Sequence, residues 1–596
     1  MHARRIVGLA TAGLITALGL PAPLAAADVI PNAGTDSISQ LDLGAVGSQS
    51  ALPAVTLSLD ETWAPVGTTI TALASARATL PAGLTYHFDF GDGTILQAGT
   101  ASAEHIYTVP GDYDAKVTVA DQAGAQVSSA TVAVKATVAD RLTPSLTATD
   151  VIPDSMNPLG HIAPLTVNVD SSATESSWPL TGSTVDFGDG SAPVHVDFPQ
   201  YTRHTYSTPG DYTIRLTVTD KRGRTAQSSI THHAAYAPAG YLPVNPYRLL
   251  DTREVGVGLK GGDVRTVKIP LGTSRYPEIT SGSISAVVLN LTATESREDT
   301  HLTVWPAGQP RPATSNVNVA AGSTASNLVT VPLGSNESVS IVVNSGRAQA
   351  VVDVVGYYQP NVGSRFAAVA PRRLMDTRAG TALTGDETRR VKVAGINGIP
   401  LDASAVTLNL TSTQASADTY FTLWSGDSDR PVTTSLNPSP GRDRANQVIV
   451  PVGADGTISL YNHVGSVHAV LDVFGYYGPG ADSLYTPVRP VRLGDTRTDA
   501  AARPGPDSVT TVGGIPAGAT GAALNVTATA ASSTSFLTVW AHGEPRPGTS
   551  NLNTQPGTTV PNHVTAPVGQ DGKVDIYNHE GSTHIVTDLF GYFSKP

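Results

Sequence analysis

At 596 residues the chain is too long for a single hydrophobic core and must divide into several domains. Charged residues make up only 14% of it, while 57 Gly and 43 Pro accompany abundant Thr, Ser and Val. That balance suits short β-strands joined by tight turns, and excludes a disordered or a largely helical chain. A formal net charge of −12 argues against nucleic acid and anionic membranes as partners, and the absence of cysteine rules out disulfides and thiolate chemistry.

In chain order, Arg4 and Arg5 precede an apolar stretch from Ile6 to Leu20, and Ala25-Ala26-Ala27 follow. The pattern reads as an export signal over residues 1–27, too short for a comfortable membrane span. Residues 28–50 are polar and aperiodic, a linker. The chain ends without an apolar tail or sorting sequence. The expected location is therefore extracellular, either released or held non-covalently at the cell wall, with no membrane insertion.

Two copies of one pattern follow, over 51–137 and 138–236. The first has Asp89-Phe90-Gly91-Asp92-Gly93, His105-x-Tyr107, Pro110-Gly111-Asp112-Tyr113 and Asp121. The second has Asp186-Phe187-Gly188-Asp189-Gly190, His204-x-Tyr206, Pro209-Gly210-Asp211-Tyr212 and Asp220. Gly-Asp-Gly and Pro-Gly supply turn conformations between strands. In these motifs both segments resemble PKD domains, and the resemblance implies a seven-stranded immunoglobulin-like sandwich acting as a spacer or adhesive module. Asp89, Asp92 and Asp121 present carboxylates of the kind calcium takes, but such aspartates more commonly cap turns, and no cofactor is expected.

Beyond residue 237 a longer unit appears three times, over 237–360, 361–479 and 480–596. Each copy opens on Arg-Leu-x-Asp-Thr-Arg, at 248–253, 373–378 and 492–497. Each continues through Asn290-Leu-Thr, Asn409-Leu-Thr or Asn525-Val-Thr, through Trp305, Trp424 or Trp540 and an Arg-Pro, and through Asn327, Asn446 or Asn562. Each closes on Asp353-Val-Val-Gly-Tyr, Asp472-Val-Phe-Gly-Tyr or Asp588-Leu-Phe-Gly-Tyr. A period of about 120 residues is too long for a solenoid and is domain-sized. Seven or eight alternating segments per copy imply a jelly-roll or immunoglobulin-like sandwich, so the whole chain is expected to be all-β tandem modules. The units resemble a C-terminal repeat of actinobacterial secreted proteins, which implies an extracellular role.

The recurring polar residues are Arg248, Asp251 and Arg253, then Arg373, Asp376 and Arg378, then Arg492, Asp495 and Arg497. An Arg fork pairs well with carboxylate, so the segment is expected to pin the first strand to the closing Asp353 region. Alternation puts Trp305, Trp424 and Trp540 on the face opposite the core residues. They are the candidate ligand-binding residues, as platforms for sugar rings; the alternative is burial under the following Pro-rich loop. His463 with His468, and His579 with His584, have no counterpart in the first copy, which argues against a metal site. Asn290 and its equivalents read as strand residues facing a neighbour. No nucleophile elbow, zinc-binding helix or phosphate loop is present, and no segment is left over for an enzyme. The expected function is a non-catalytic binding or adhesion protein, its three repeats forming a trivalent array for cell-wall or environmental polysaccharide, with protein partners or self-assembly as the alternative.

Overall fold

The computed structural model describes residues 52–138, 141–151, 164–196, 200–256, 258–271, 284–334, 337–498 and 503–596. The expected export signal and linker lie outside them. Among the described residues the architecture is all-β; Thr377–Ala379 is a single 3-10 turn, and no helix is long and apolar enough to cross a membrane.

The chain divides into two compact units. One comprises the described residues up to Ser58, with Ala72–Ala103 and Lys116–Thr131. In it Thr85–Asp89 pairs with Ile95–Ala98 on one side and with Lys116 to Ala120 on the other, over buried Phe88, Phe90, Val117 and Val119. The other comprises Leu59–Thr71, Glu104–Ala115 and Val132–Pro596. It holds the second PKD-like segment as two sheets. Leu180–Asp186, Gly210–Asp220 and Thr225–Ala234 with short Val194–His195 form one, and Thr147–Asp150, Thr166–Asp170 and Tyr201–Thr205 form the other. Val167, Val169, Val185, Phe187, Ile214 and Leu216 fill the space between them.

Each C-terminal repeat is likewise a pair of sheets. In the first copy the strands are Gly240–Asp251, Val264–Lys268, Ala286–Thr294, Thr300–Pro306, Val317–Val319, Ala325–Pro332, Ser338–Val343 and Arg347–Gln359, besides the short Leu259–Lys260. Counted in that series, one sheet runs first-eighth-third-sixth and the other second-seventh-fourth-fifth. This is the double Greek key of a jelly roll, which decides between the two sandwich types the sequence left open. The third copy repeats the order, and the second does so with Leu436 bridged to Phe421 where a fifth strand would lie.

The three jelly rolls are not separate beads. Their first sheets face one another and close a ring with pseudo-threefold symmetry. Along Ala286–Thr294, Val287, Leu289, Leu291 and Ala293 enter the copy's own core, while Ala286 and Val288 face the common axis. A strand buried on both faces needs a near-continuous apolar run, which is what Ala-Val-Val-Leu-Asn-Leu provides. Around the axis Tyr241, Phe366 and Tyr485 from the three first strands meet Tyr358, Tyr477 and Phe593 from the three last strands. The Tyr358 and Tyr477 hydroxyls lie 2.5 Å apart, and at the third position Phe593 has none.

Backbone pairing closes the same ring. Ala239 and Tyr485 exchange two N–H···O bonds, as do Tyr241 with Ser364 and Phe366 with Ser483. The recurring Asn residues then stitch each interface. Asn446 donates to Asn290 Oδ1 (2.9 Å) and accepts from Leu328 N (2.9 Å). Asn562 does the same with Asn409 Oδ1 (3.0 Å) and Gln447 N (3.1 Å), and Asn327 with Asn525 Oδ1 (3.0 Å) and His563 N (2.8 Å). All six side chains are buried and hydrogen-bonded, as buried amides must be.

The closing glycine of each copy has a steric cause. A Cβ on Gly356 would lie 2.1 Å from the Tyr241 hydroxyl. On Gly475 it would lie 2.4 Å from the Phe366 ring, and on Gly591 2.3 Å from the Tyr485 hydroxyl. The aromatic of the first strand lies directly on that glycine.

Candidate functional site

The Arg-Leu-x-Asp-Thr-Arg segment forms the same cluster three times. Arg248 Nε and Nη2 reach Asp353, and its Nη1 reaches Asp251 Oδ2 at 2.9 Å. Arg253 then grips Asp251 with Nε and Nη2, at 2.9 and 2.6 Å. Arg373, Asp376, Arg378 and Asp472 repeat this set, as do Arg492, Asp495, Arg497 and Asp588. Bonds from the second arginine hold Asp376 and Asp495 down to about 2. Burial instead pushes Asp353, Asp472 and Asp588 up, against the pull of their arginines. The cluster pins the first strand to the last. Arg248 Nη2 also donates to Val432 O of the next copy at 3.1 Å, so it braces the ring as well.

The tryptophans are inside. Trp305, Trp424 and Trp540 are 5%, 4% and 6% exposed, and each indole N–H donates to a carbonyl of the loop that follows it. The acceptors are Gln309, Ser428 and Glu544, at 3.0, 2.8 and 2.8 Å. Their proposed role as sugar platforms is therefore corrected. The face opposite the core was read rightly, but the loop covers it and leaves no ring open for stacking. Histidine is likewise local. His468 and His584 bond Thr377 and Thr496, a place taken by Gln349 on Thr252 in the first copy. His463 and His579 instead stack on Tyr420 and Phe536. Asp89, Asp92 and Asp121 each accept from backbone N–H groups of their own turns.

An open site lies elsewhere, at one end of the pseudo-threefold axis. A cavity of about 300 Å³ there is lined by equivalent residues of all three copies. They include Asn318, Asn437 and Asn553; Ala325, Arg444 and Val560; and Ser326, Ala445 and Pro561. The Oδ1 atoms of Asn437 and Asn553 and the Oγ of Ser326 are buried without a hydrogen-bond partner. A neighbouring cavity of about 420 Å³ between the first two copies shares Asn437, Arg442 and Arg444 and adds Asp418, Tyr420 and His463. The Tyr420 and His463 rings stack there at 4.6 Å.

Repetition carries Asn318, Asn437 and Asn553 in all three copies, but it could not reveal the cationic part of the site, because those residues differ between copies. Arg442-x-Arg444 precedes Asn446 where the first copy has Ser323-x-Ala325 and the third has Thr558-x-Val560. That local departure from the repeat was the available signal.

Residues 50–136 and 161–234 match the PKD domain family. Among solved structures, the chain overlaps loosely with the fibronectin(III)-like modules of Clostridium thermocellum CbhA. The identity is 16%, over 30% of this chain and 94% of that one, at a TM-score of 0.18. Carbohydrate-binding modules of the β-sandwich superfamily match at 12% identity over 52% and 94% of the two chains, at a TM-score of 0.15. A triple jelly-roll protein of an archaeal virus turret matches at 8% identity over 60% and 97%, also at 0.15. The fold assignment rests on the chain's own strand pairing.

Proposed function

We propose that the protein is a secreted, non-catalytic binding protein that engages polysaccharide, of a cell wall or of its surroundings, through one composite site at the polar end of the three-repeat ring. The PKD-like segments act as spacers. The observation that carries this reading is the axial cavity, where all three copies contribute polar side chains and where buried amide and hydroxyl oxygens lack partners. Sugar hydroxyls are donors of the required kind, and the stacked Tyr420–His463 pair beside them offers a flat partner for a sugar ring. One site per chain replaces the trivalent array expected from the repeats. A non-catalytic role fits the acidic neighbours. Asp299 accepts from Ala321 N at 2.9 Å and so holds the turn around that residue, and Asp443 is placed to act on Arg378.

The test is co-sedimentation of the full chain with peptidoglycan, chitin and cellulose, alongside the Y420A variant and an assay for released sugar. Binding that weakens in Y420A, without sugar release, supports the reading. Sugar release would make the protein a hydrolase. A chain that pellets without polymer would favour self-assembly.

A further inference from the structure

We infer that the axial cavity receives the carboxylate of an acidic sugar, so that the polysaccharide is a uronate-containing one. This rests on the polysaccharide-binding reading and narrows it.

Arg442 and Arg444 enter the cavity from the second copy alone. At the same positions the other copies carry Ser323 with Ala325 and Thr558 with Val560, so the ring closes without arginine there. Packing does not call for these two cations. Nor do they satisfy each other's charge. Among the described residues neither guanidinium is in ion-pair contact with a carboxylate, and Arg444 makes one long bond, Nε to Ser439 Oγ at 3.4 Å. Burial, together with the charge of Arg442, lowers Arg444 to about 10. Of the acids lining the two cavities, Asp299 serves a turn and Asp443 acts on Arg378, which leaves Asp418 as the one that favours Arg444's charge. Two half-buried cations with no carboxylate of the described residues in ion-pair contact call for an anion from outside.

The cavity also says what the anion is attached to. A bare inorganic ion would satisfy the arginines but leave the Asn437, Asn553 and Ser326 oxygens without donors. A hydroxylated carboxylate satisfies both sets, since its charged oxygens accept from the guanidinium forks while its hydroxyls donate to the amide oxygens.

The experiment is calorimetric titration of the full chain with three oligosaccharides of equal length: an oligo-uronate, a neutral cello-oligosaccharide and its sulfated derivative. The wild-type chain is compared with R444A and with R442S/R444A, which give the second copy the residues of the first. Melting temperature serves as the folding control. The expected result is about tenfold or greater preference for the uronate over the neutral sugar, reduced by added salt and abolished in the double variant while weak neutral binding persists. Equal affinity for neutral and uronate oligomers, or an unchanged double variant, would overturn the acidic-sugar assignment and leave polysaccharide binding standing. Preference for the sulfated oligomer would overturn the carboxylate in favour of a sulfate ester. Failure of all three, together with the insoluble polymers, would sink both readings.

Discussion

The two halves of this chain use repetition differently. In the PKD-like segments the repeated residues serve the fold that contains them. Asp186 accepts from Gly188 N, and Asp189 accepts from Ser191 N and holds His204 at 2.8 Å, while Tyr206 stacks on Tyr212. In the C-terminal repeats many of the repeated residues serve the neighbouring copy. Asn290 donates to Thr434 O, Asn409 to Ser550 O and Asn525 to Ser315 O, each across an interface. An identical residue in every copy therefore marks either a local turn or a seam between copies. The fate of its hydrogen bonds tells which.

The largest effect should come from the Arg–Asp cluster, which does both jobs. R248A leaves Asp353 buried and unpaired, and loss of about 3–5 kcal/mol is expected. Urea denaturation followed by tryptophan fluorescence reads it, and R248K should rescue little because a lysine cannot bridge both carboxylates. A loss below about 1 kcal/mol would mean that the cluster is ornamental.

His563 gives the next effect and a pH signature. It occupies the ring position held by Leu328 and Gln447 in the other copies, and its Nδ1 meets Gln447 Oε1 at 2.9 Å. Burial lowers its pKa from 6.5 to about 4. The unfolded chain therefore binds more protons than the ring between these values, and stability falls as pH drops from 6.5 towards 4. The loss is on the order of 3 kcal/mol. H563L, which installs the first copy's leucine, should flatten that part of the stability–pH curve. An unchanged slope in H563L would assign the acid sensitivity to other groups.

Much of this was legible beforehand, and the limits have physical causes. The β class followed from composition, and the pairing of Arg248 with the Asp353 region from the recurrence of both. The phase of Trp305 followed from alternation, but its exposure did not, because strand periodicity says which face a residue takes and nothing about what covers that face. The ring was hidden for a related reason. The run Ala286-Val287-Val288-Leu289 carries the mark of a strand buried on both sides, yet a sequence does not say whether the second cover is its own sheet or another copy. Arg442 and Arg444 escaped because searching for identity between copies discards the positions at which one copy departs.

Two smaller effects separate the seams from the turns. N446A removes the donor to Asn290 Oδ1 and Ser435 O and the acceptor of Leu328 N, so about 2–3 kcal/mol should be lost from the ring. D186A removes the acceptor of a single turn N–H at 2.9 Å and should cost about 1 kcal/mol. The decisive difference is where each loss is felt. Hydrogen exchange should quicken in N446A across two copies, at Leu328 as well as around residue 446, because one side chain serves two jelly-roll neighbours of the same seam. In D186A it should quicken only within the second PKD-like segment, near Gly188 and Ser191. Faster exchange at Leu328 in D186A would show that the turn and the ring unfold together, and the contrast between local and shared repetition would fail.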